Sequence, residues 1–318
     1  MIKSILIANR GEIAIRIERT CREMGIRTIA VFSEADSQSL HVKLADEAVC
    51  IGPPDSRKSY LNISNIISAA VLKGCDAIHP GVGFLSENAH FAREVEKAGL
   101  IFIGPEPDTI DLLGDKIHAK QSAIEAGLPV IPGLCEKASK SEKTLEAVRD
   151  IGFPVIVKAA AGGGGKGMRI VRKEEELFDA LSLASSEAEK SFSDGTVYIE
   201  KFIENPKHVE VQLLSDTKGN ALSLGCRDCS VQQNHQKLIE ETPAPGVSEE
   251  IQRRMQADSV RLFKSLGYRG AGTIEYLVKD GSYFFMEVNA RVQVEHPVSE
   301  MVSGIDIIRE QILSASGS

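Results

Sequence analysis

Through the first 112 residues, short apolar runs alternate with stretches of helical spacing, and that beat restricts the fold more than any other feature. Residues 4–8, 28–32, 47–51, 77–79 and 101–103 read as strands, and 11–24, 38–46, 63–73 and 88–98 as helices. Antiparallel neighbours need only a turn, whereas parallel neighbours need a crossover, and a single helix between consecutive strands supplies one. The pattern therefore predicts a parallel sheet covered on both faces, a Rossmann-like α/β unit. The turn after its first strand, Asn9-Arg10-Gly11-Glu12, lacks the G-x-G-x-x-G fingerprint, so nothing marks this sheet as a dinucleotide site.

At 318 residues the chain exceeds one comfortable core, and the pattern changes where a second unit is expected. Residues 113–127 read as one helix, after which Pro129, Pro132 and Gly133 punctuate the chain. An α+β pattern follows, with helices at 141–151, 174–190, 248–266 and 304–313. Its strands fall at 155–158, 168–171, 198–202, 209–214, 221–224, 272–278 and 282–288. The expected division is 1–112 and 113–318, with a lid subdomain at about 131–203. A net charge of −8 argues against a nucleic-acid groove or an anionic membrane as partner. The early apolar run 5–8 is too short for a signal peptide or membrane span. The six scattered cysteines suit a reducing cytoplasm. The pair Cys226-Arg227-Asp228-Cys229 ends a strand-like run and has no second pair at zinc-ligand spacing, so it reads as two buried thiols.

Chemistry gathers in three places. The strand Val155-Ile156-Val157-Lys158 runs into a loop with five glycines in the six positions 162–167. A backbone without side chains lets amide N–H groups approach phosphate oxygens, and Lys158 and Lys166 add charge there. Gly167 stands where a Walker A loop has Ser or Thr, and a strand rather than a helix follows. What remains is a strand–loop–strand flap over a polyphosphate, a mobile lid by composition.

The second place is 287–295, which alternates strictly. In an extended chain Glu287, Asn289, Arg291, Gln293 and Glu295 share one face, at about 6.6 Å per pair of residues. Such a row of unlike hydrogen-bonding heads reads as an active-site floor. Upstream lies a hairpin partner containing Glu275. An odd-numbered loop such as 280–282 would set Glu275 opposite Glu287 on one face, whereas a two-residue turn would separate them. Two facing carboxylates repel unless a cation lies between them, so the reading favours the odd loop with magnesium bridged by Glu275 and Glu287. The third place is the cluster at 227–237, too polar for a core and too ordered in charge for a linker.

Together these stretches resemble biotin carboxylase, the ATP-grasp component of acetyl-CoA carboxylase that also forms the N-terminal part of pyruvate, propionyl-CoA and methylcrotonyl-CoA carboxylases. The likeness rests on Ile7-Ala8-Asn9-Arg10-Gly11-Glu12-Ile13-Ala14, His79-Pro80-Gly81 and Gly83-Phe84-Leu85-Ser86-Glu87-Asn88. It continues through the glycine loop, Glu204-Asn205-Pro206, His208-Val209-Glu210, the 227–237 cluster, Gly270-Ala271-Gly272-Thr273 and Gln293-Val294-Glu295-His296-Pro297, and so spans the whole chain.

The resemblance implies an ATP-grasp fold in the second unit. It also implies that ATP and bicarbonate form carboxyphosphate, whose CO2 passes to N1 of carrier-bound biotin. ATP phosphate contacts fall on Lys116, Lys158, Gly163, Gly164, Gly165, Lys166 and Gly167. The adenine segment falls on Glu200, whose side chain would read the base edge, with Lys201 and Ile203. The rest of the nucleotide pocket falls on His208, Gln232, His235 and Leu277. Ligands for Mg2+ or Mn2+ fall on Glu275, Glu287 and Asn289, and the bicarbonate site on Lys237, Arg291, Gln293 and the Val294 amide, with Glu295 as base. The implied partners are a biotin carboxyl carrier protein and a carboxyltransferase, with a homodimer as the assembly and fatty acid synthesis in the cytoplasm as the setting. A mitochondrial matrix placement would require a transit peptide already removed.

Val82 replaces the family's usual tyrosine and Cys226 its usual glutamate, which points to tuning rather than loss. The family continues for more than a hundred residues past position 318 and carries there an arginine for biotin activation. The expectation for these 318 residues is therefore MgATP binding with little biotin carboxylation. Other readings are a regulatory ATP-binding fragment, or another ATP-grasp ligase such as a purine-synthesis carboxylase.

Overall fold

The computed structural model describes residues 2–134, 137–160, 168–234 and 236–317. The first sheet takes in β1 (Ser4–Ile7), α1 (Gly11–Glu23), β2 (Arg27–Ser33), α2 (Leu40–Leu44), β3 (Glu47–Gly52), α3 (Ile63–Leu72), β4 (Ala77–His79), α4 (Ala89–Lys97) and β5 (Ile101–Phe102). Every pairing in it is parallel and the order is β3-β2-β1-β4-β5. Strand β1 is buried on both faces: Leu6 joins Ile29, Ile78 and Phe91, while Ile5 and Ile7 join Ile13 and Ile17. That double burial is why the strand reads as an unbroken apolar run.

Strand order reverses between β1 and β4, the place where open α/β sheets form a crevice. There the Asn9 amide donates to the Pro80 and Val82 carbonyls at 2.8 and 2.7 Å. Gly81 lies against it at φ +65°, and a Cβ would come within 2.9 Å of the Asn9 amide nitrogen. Only glycine fits that approach.

The helix read at 113–127 is α6 (Lys116–Glu125), which starts three residues later, and a separate helix not foreseen, α5 (Pro107–Gly114), precedes it. Asp115 breaks them apart because its carboxylate accepts from the Ile117 and His118 amides and caps α6, a local bond that outcompetes helix continuation. A four-stranded antiparallel sheet, order β6-β9-β7-β8, comes next. It is built from β6 (Gly133–Leu134), α7 (Glu142–Ile151), β7 (Val155–Ala159), β8 (Arg169–Val171), α8 (Leu177–Phe192) and β9 (Val197–Lys201). Val155, Val157, Val171, Leu181 and Ile199 form its core. The glycine loop, with Gly163, Gly164, Gly165, Lys166 and Gly167, lies outside the described residues.

The third sheet is antiparallel, order β12-β11-β10-β13-β14. Its elements are β10 (Lys207–Ser215), β11 (Ala221–Gln233), β12 (Gln236–Glu241), α9 (Glu249–Ser265), β13 (Gly270–Lys279) and β14 (Ser282–Asn289), followed by α10 (His296–Ser303) and α11 (Ile307–Ala315). Helix α9 sets Met255, Leu262 and Phe263 against Val209, Val211, Ile274 and Tyr276. Ile307, Ile308 and Ile312 of α11 pack into the same cluster as Ile5 and Ile7, and Arg16 of α1 grips Glu300 and Asp306 at 2.9 and 2.8 Å. These contacts join the first sheet to the third. No helix among the described residues is long and apolar enough to cross a membrane.

Four expectations fail here. The strand read at 221–224 extends to Gln233, so Cys226 and Cys229 lie inside it, both buried, with the Cys226 thiol pushed up to about 12 by burial. The cluster judged too polar for a core is partly core: Arg227, Asp228 and Cys229 are buried. The extended row does not run to 295, because β14 ends at Asn289 and the chain bends into α10. The last helix runs Ile307–Ala315, and α10 before it was not foreseen.

Candidate active site

The hairpin corrects a further expectation, that of an odd-numbered loop, and keeps its consequence. Lys279 pairs with Ser282 around a two-residue turn, Asp280-Gly281, with φ of +46° and +76°. Positive φ at both positions matches the twist of a tight hairpin. A regular ladder from that turn would set Glu275 opposite Met286. Instead the register shifts between Glu275 and Tyr276, Met286 becomes the extra residue, and Glu275 pairs with Glu287. A β-bulge, not an odd loop, brings the carboxylates opposite each other.

Glu275 is buried and both its oxygens are engaged. Oε1 accepts from Lys237 at 2.9 Å, Asn289 at 2.9 Å and Gln293 at 3.2 Å, and Oε2 meets His208 Nε2 at 2.6 Å. Burial alone would raise its pKa, but His208 and Lys237 outweigh that and hold the carboxyl well below the usual range. His208 is raised in turn: burial lowers it, and the Glu275 carboxylate more than reverses the effect. Its Nδ1 faces Gln232 Nε2 at 2.6 Å. Leu277 sits opposite His208 across β10 and β13.

Lys237 on β12 is the hub. Its ammonium lies 2.6 Å from Glu210, 2.9 Å from Glu275 and 2.7 Å from Glu295. Burial lowers its pKa, yet the three carboxylates win and it is held firmly charged. Glu210, Cys229 and Glu295 offer ligand atoms within 4.8 Å of one another, but the Lys237 ammonium already bonds both carboxylates of that trio. A cation already stands there.

Beneath it lies Arg227, fully buried and missed by the sequence reading. Its Nε donates to Glu210 at 2.6 Å, Nη1 to Gln212 and Ser299 at 2.8 Å each, and Nη2 to Gln293 Oε1 at 2.7 Å. Burial raises the Glu210 pKa, but Arg227 and Lys237 outweigh it and hold the carboxylate low. A fully buried arginine is tolerated when its fork is bonded in this way, here through four of its five N–H groups. A polar residue at alternating positions of a strand was the available signal.

The bend after β14 scatters the predicted row and still returns part of it to the hub. Gln293 turns inward at 2% exposure, Glu295 reaches Lys237, and Val294 is 58% exposed. Arg291 is fixed from the first sheet's side: Glu87 accepts its Nε at 2.9 Å and the Ala290 amide at 3.0 Å, while Arg291 Nη2 donates to Asn289 at 3.0 Å. Glu87 stood in a quoted motif, but nothing in the sequence paired it with Arg291.

Two lysines approach from the other side. Lys116 opens α6 directly after the Asp115 cap and reaches Glu287 at 3.1 Å. Lys158 on β7 meets Glu200 Oε2 at 2.8 Å, while buried Lys120, also missed, takes Oε1 at 2.8 Å. Burial would raise Glu200, but Lys158 and then Lys120 hold it ionised. Both Glu200 oxygens are therefore occupied by lysines. Lys201 spends its ammonium on the Gly152 and Phe153 carbonyls at 3.0 and 2.9 Å, so only its backbone faces a ligand role. Ile203 lies in the short link between β9 and β10, half-buried. His235 lies outside the described residues. Glu275, Glu287 and Asn289 offer oxygen donors only, two of them carboxylates opposed in register, and that chemistry fits Mg2+ or Mn2+.

Comparison with known proteins places the whole chain among relatives. Residues 1–110 match the family "Biotin carboxylase, N-terminal domain", and 115–318 match "Carbamoyl-phosphate synthase L chain, ATP binding domain". The chain is 55% identical to a biotin carboxylase of Allochromatium vinosum over 318 residues, all of this chain and 71% of that protein. A Campylobacter jejuni biotin carboxylase solved as a β,γ-ATP complex superposes with TM-score 0.97 at 51% identity, covering all of this chain and 72% of that one. The biotin carboxylase domain dimer of Hydrogenobacter thermophilus 2-oxoglutarate carboxylase, solved with MgADP, ADP and bicarbonate, superposes with TM-score 0.95 at 46% identity, covering all of this chain and 70% of that one.

Proposed function

Because the chain belongs to the biotin carboxylase family, we propose that it carries the ATP- and bicarbonate-dependent chemistry that carboxylates biotin. The observation that supports this most is the Lys237 ammonium, which bonds Glu295 and Glu275 at once. An anion binder, a base and a metal-type carboxylate thus meet at one nitrogen.

Bicarbonate is a poor nucleophile and needs orientation and a base. Lys237, Arg291, Gln293 and the Val294 amide hold it, and Glu295 takes its proton. The freed oxygen then attacks the γ-phosphorus, the bond to the bridging oxygen breaks, and ADP leaves with that electron pair. The product, carboxyphosphate, releases CO2 and phosphate, and CO2 bonds N1 of biotin as the released phosphate takes the N1 proton. Lys116 and Lys158 neutralise the phosphates, together with the glycine loop at 163–167. Glu200, Lys201, Ile203, His208, Gln232, His235 and Leu277 form the nucleotide pocket. Glu275, Glu287 and Asn289 would hold magnesium or manganese, which neutralises charge developing on the phosphates.

We assign residues 1–112 and 113–318 to two domains, with a lid at about 131–203. A carrier protein bearing biotin, a carboxyltransferase and a second copy of the chain are its proposed partners. The proposed setting is the acetyl-CoA carboxylase of fatty acid synthesis, in the cytoplasm.

Three measurements test the reading. Magnesium-dependent ATP hydrolysis should rise with bicarbonate, and oxygen-18 from labelled bicarbonate should appear in the released phosphate. Hydrolysis indifferent to bicarbonate would refute it. Glu287→Gln should abolish the magnesium-dependent turnover without unfolding the hairpin, since the side chain is partly exposed.

A further inference from the structure

We propose that Arg227 is a positioning residue that sets which end of the Gln293 amide faces bicarbonate. The proposal rests on the functional reading above and extends it to a buried side chain whose bonds go to Glu210, Gln212, Ser299 and Gln293.

An amide has two chemically opposite ends of nearly equal shape, and an anion accepts only the NH2 end. Left free, Gln293 could turn its carbonyl oxygen toward the anion and repel it. Arg227 removes that freedom by the shortest of the bonds to the amide, with the Glu210 and Glu275 carboxylates acting in the same sense at its other end. Its Nη2 donates to Gln293 Oε1 at 2.7 Å, and a guanidinium has no acceptor to offer a reversed amide. The NH2 end must therefore point away from the arginine, and it does, reaching Glu210 and Glu275 at 3.2 Å each. Those carboxylates are the ones that hold Lys237, so the amide donors and the ammonium share one space.

Arg227 is itself held from three other sides. Glu210, Gln212 and Ser299 occupy the rest of its fork, with every heavy-atom distance between 2.6 and 2.8 Å. Its side chain is 0% exposed. The partners come from β10 and α10, so the fork ties the strand that carries Glu210 to the helix that begins after Glu295. Through Glu210 the same arginine also braces Lys237: Glu210 spends one oxygen on each cation, at 2.6 Å both times. Lysine at 227 could keep one ion pair but could not span Glu210 and Gln293 with a planar fork.

The test compares wild type, Arg227→Lys, Gln293→Ala and the double variant. Binding of carbon-13 bicarbonate is read from its NMR line width with MgADP present, so turnover is not required. MgADP affinity is the control. Arg227→Lys should weaken bicarbonate about 10–100-fold with MgADP affinity unchanged. In the Gln293→Ala background the same change should add less than about twofold, because the group it positions is gone. Full wild-type affinity in Arg227→Lys, or an undiminished effect in the double variant, would overturn the proposal. Should Arg227→Lys fail to fold, wild type still decides. Its Gln293 side-chain NH2 signals, assigned by their loss in Gln293→Ala, must shift on adding bicarbonate, and unmoved signals refute the positioning. Wild type that binds MgADP and no bicarbonate overturns the functional reading, and this proposal with it.

Discussion

Replacing Lys237 with methionine removes the positive centre of the site while keeping most of its volume. Three carboxylates lie 2.6, 2.9 and 2.7 Å from the ammonium. At an effective dielectric constant of about 20, each contact corresponds to about 6 kcal/mol of gross attraction. Most of that offsets the cost of taking four charges out of water, so deleting one partner leaves a net loss of about 3–5 kcal/mol. Glu210, Glu275 and Glu295 would then face one another, with Arg227 and His208 the cations bonded to them among the described residues. Protonating one of them is the cheapest relief. That carboxyl then has a folded pKa above its unfolded value of about 4.3. Such a group stabilises below its unfolded pKa, and the benefit is lost as pH rises through the folded one. The deficit of Lys237→Met should therefore be largest near about pH 8 and shrink by up to about 1.4 kcal/mol per unit below the raised pKa. In the wild type Glu275 shows the opposite shift, being held low. Urea unfolding of both proteins at about pH 8 and about pH 5.5 reads the difference. A deficit under about 1 kcal/mol, or one that ignores pH, would refute the view of Lys237 as the cation these carboxylates are built around.

Other expectations follow from single contacts. Glu18 on α1 is buried with neither oxygen hydrogen-bonded, and burial pushes its pKa from 4.5 to about 8, with Arg22 opposing and Asp46 adding. Stability should therefore fall by about 2 kcal/mol between about pH 6 and about pH 8, and Glu18→Gln should remove that slope in denaturant titrations. Asp115→Ala strips the α6 cap and should cost about 1 kcal/mol. It should also weaken MgATP binding by calorimetry, since Lys116 is the first residue of that helix. Glu87→Ala releases Arg291 and should raise the KM for bicarbonate about tenfold while MgATP affinity holds, because the pair is half-exposed and contributes little to folding.

The alternation of 4–8, 11–24, 28–32 and onward determined the parallel sheet, because burial on both faces forces apolar strands and parallel pairing forces the helices between them. The residue types of the site were equally legible, since carboxylates, lysines and a glycine run announce phosphate and metal chemistry wherever they fold. Their placement was not. Glu275 and Glu287 meet because Met286 is squeezed out of the ladder, and no local propensity encodes a bulge that cross-strand packing selects. Asp115 reads as an unremarkable residue within a helical pattern, yet two amide bonds make it a boundary. Arg227, Glu210, Lys120 and Glu87 act through partners 17, 27, 80 and 204 positions away, and a charge whose meaning lies in a distant partner cannot be read from its neighbours. Sequence determined what the site is made of; tertiary structure decided which groups touch, because burial makes each unpaired charge so costly that only the arrangement pairing them all survives.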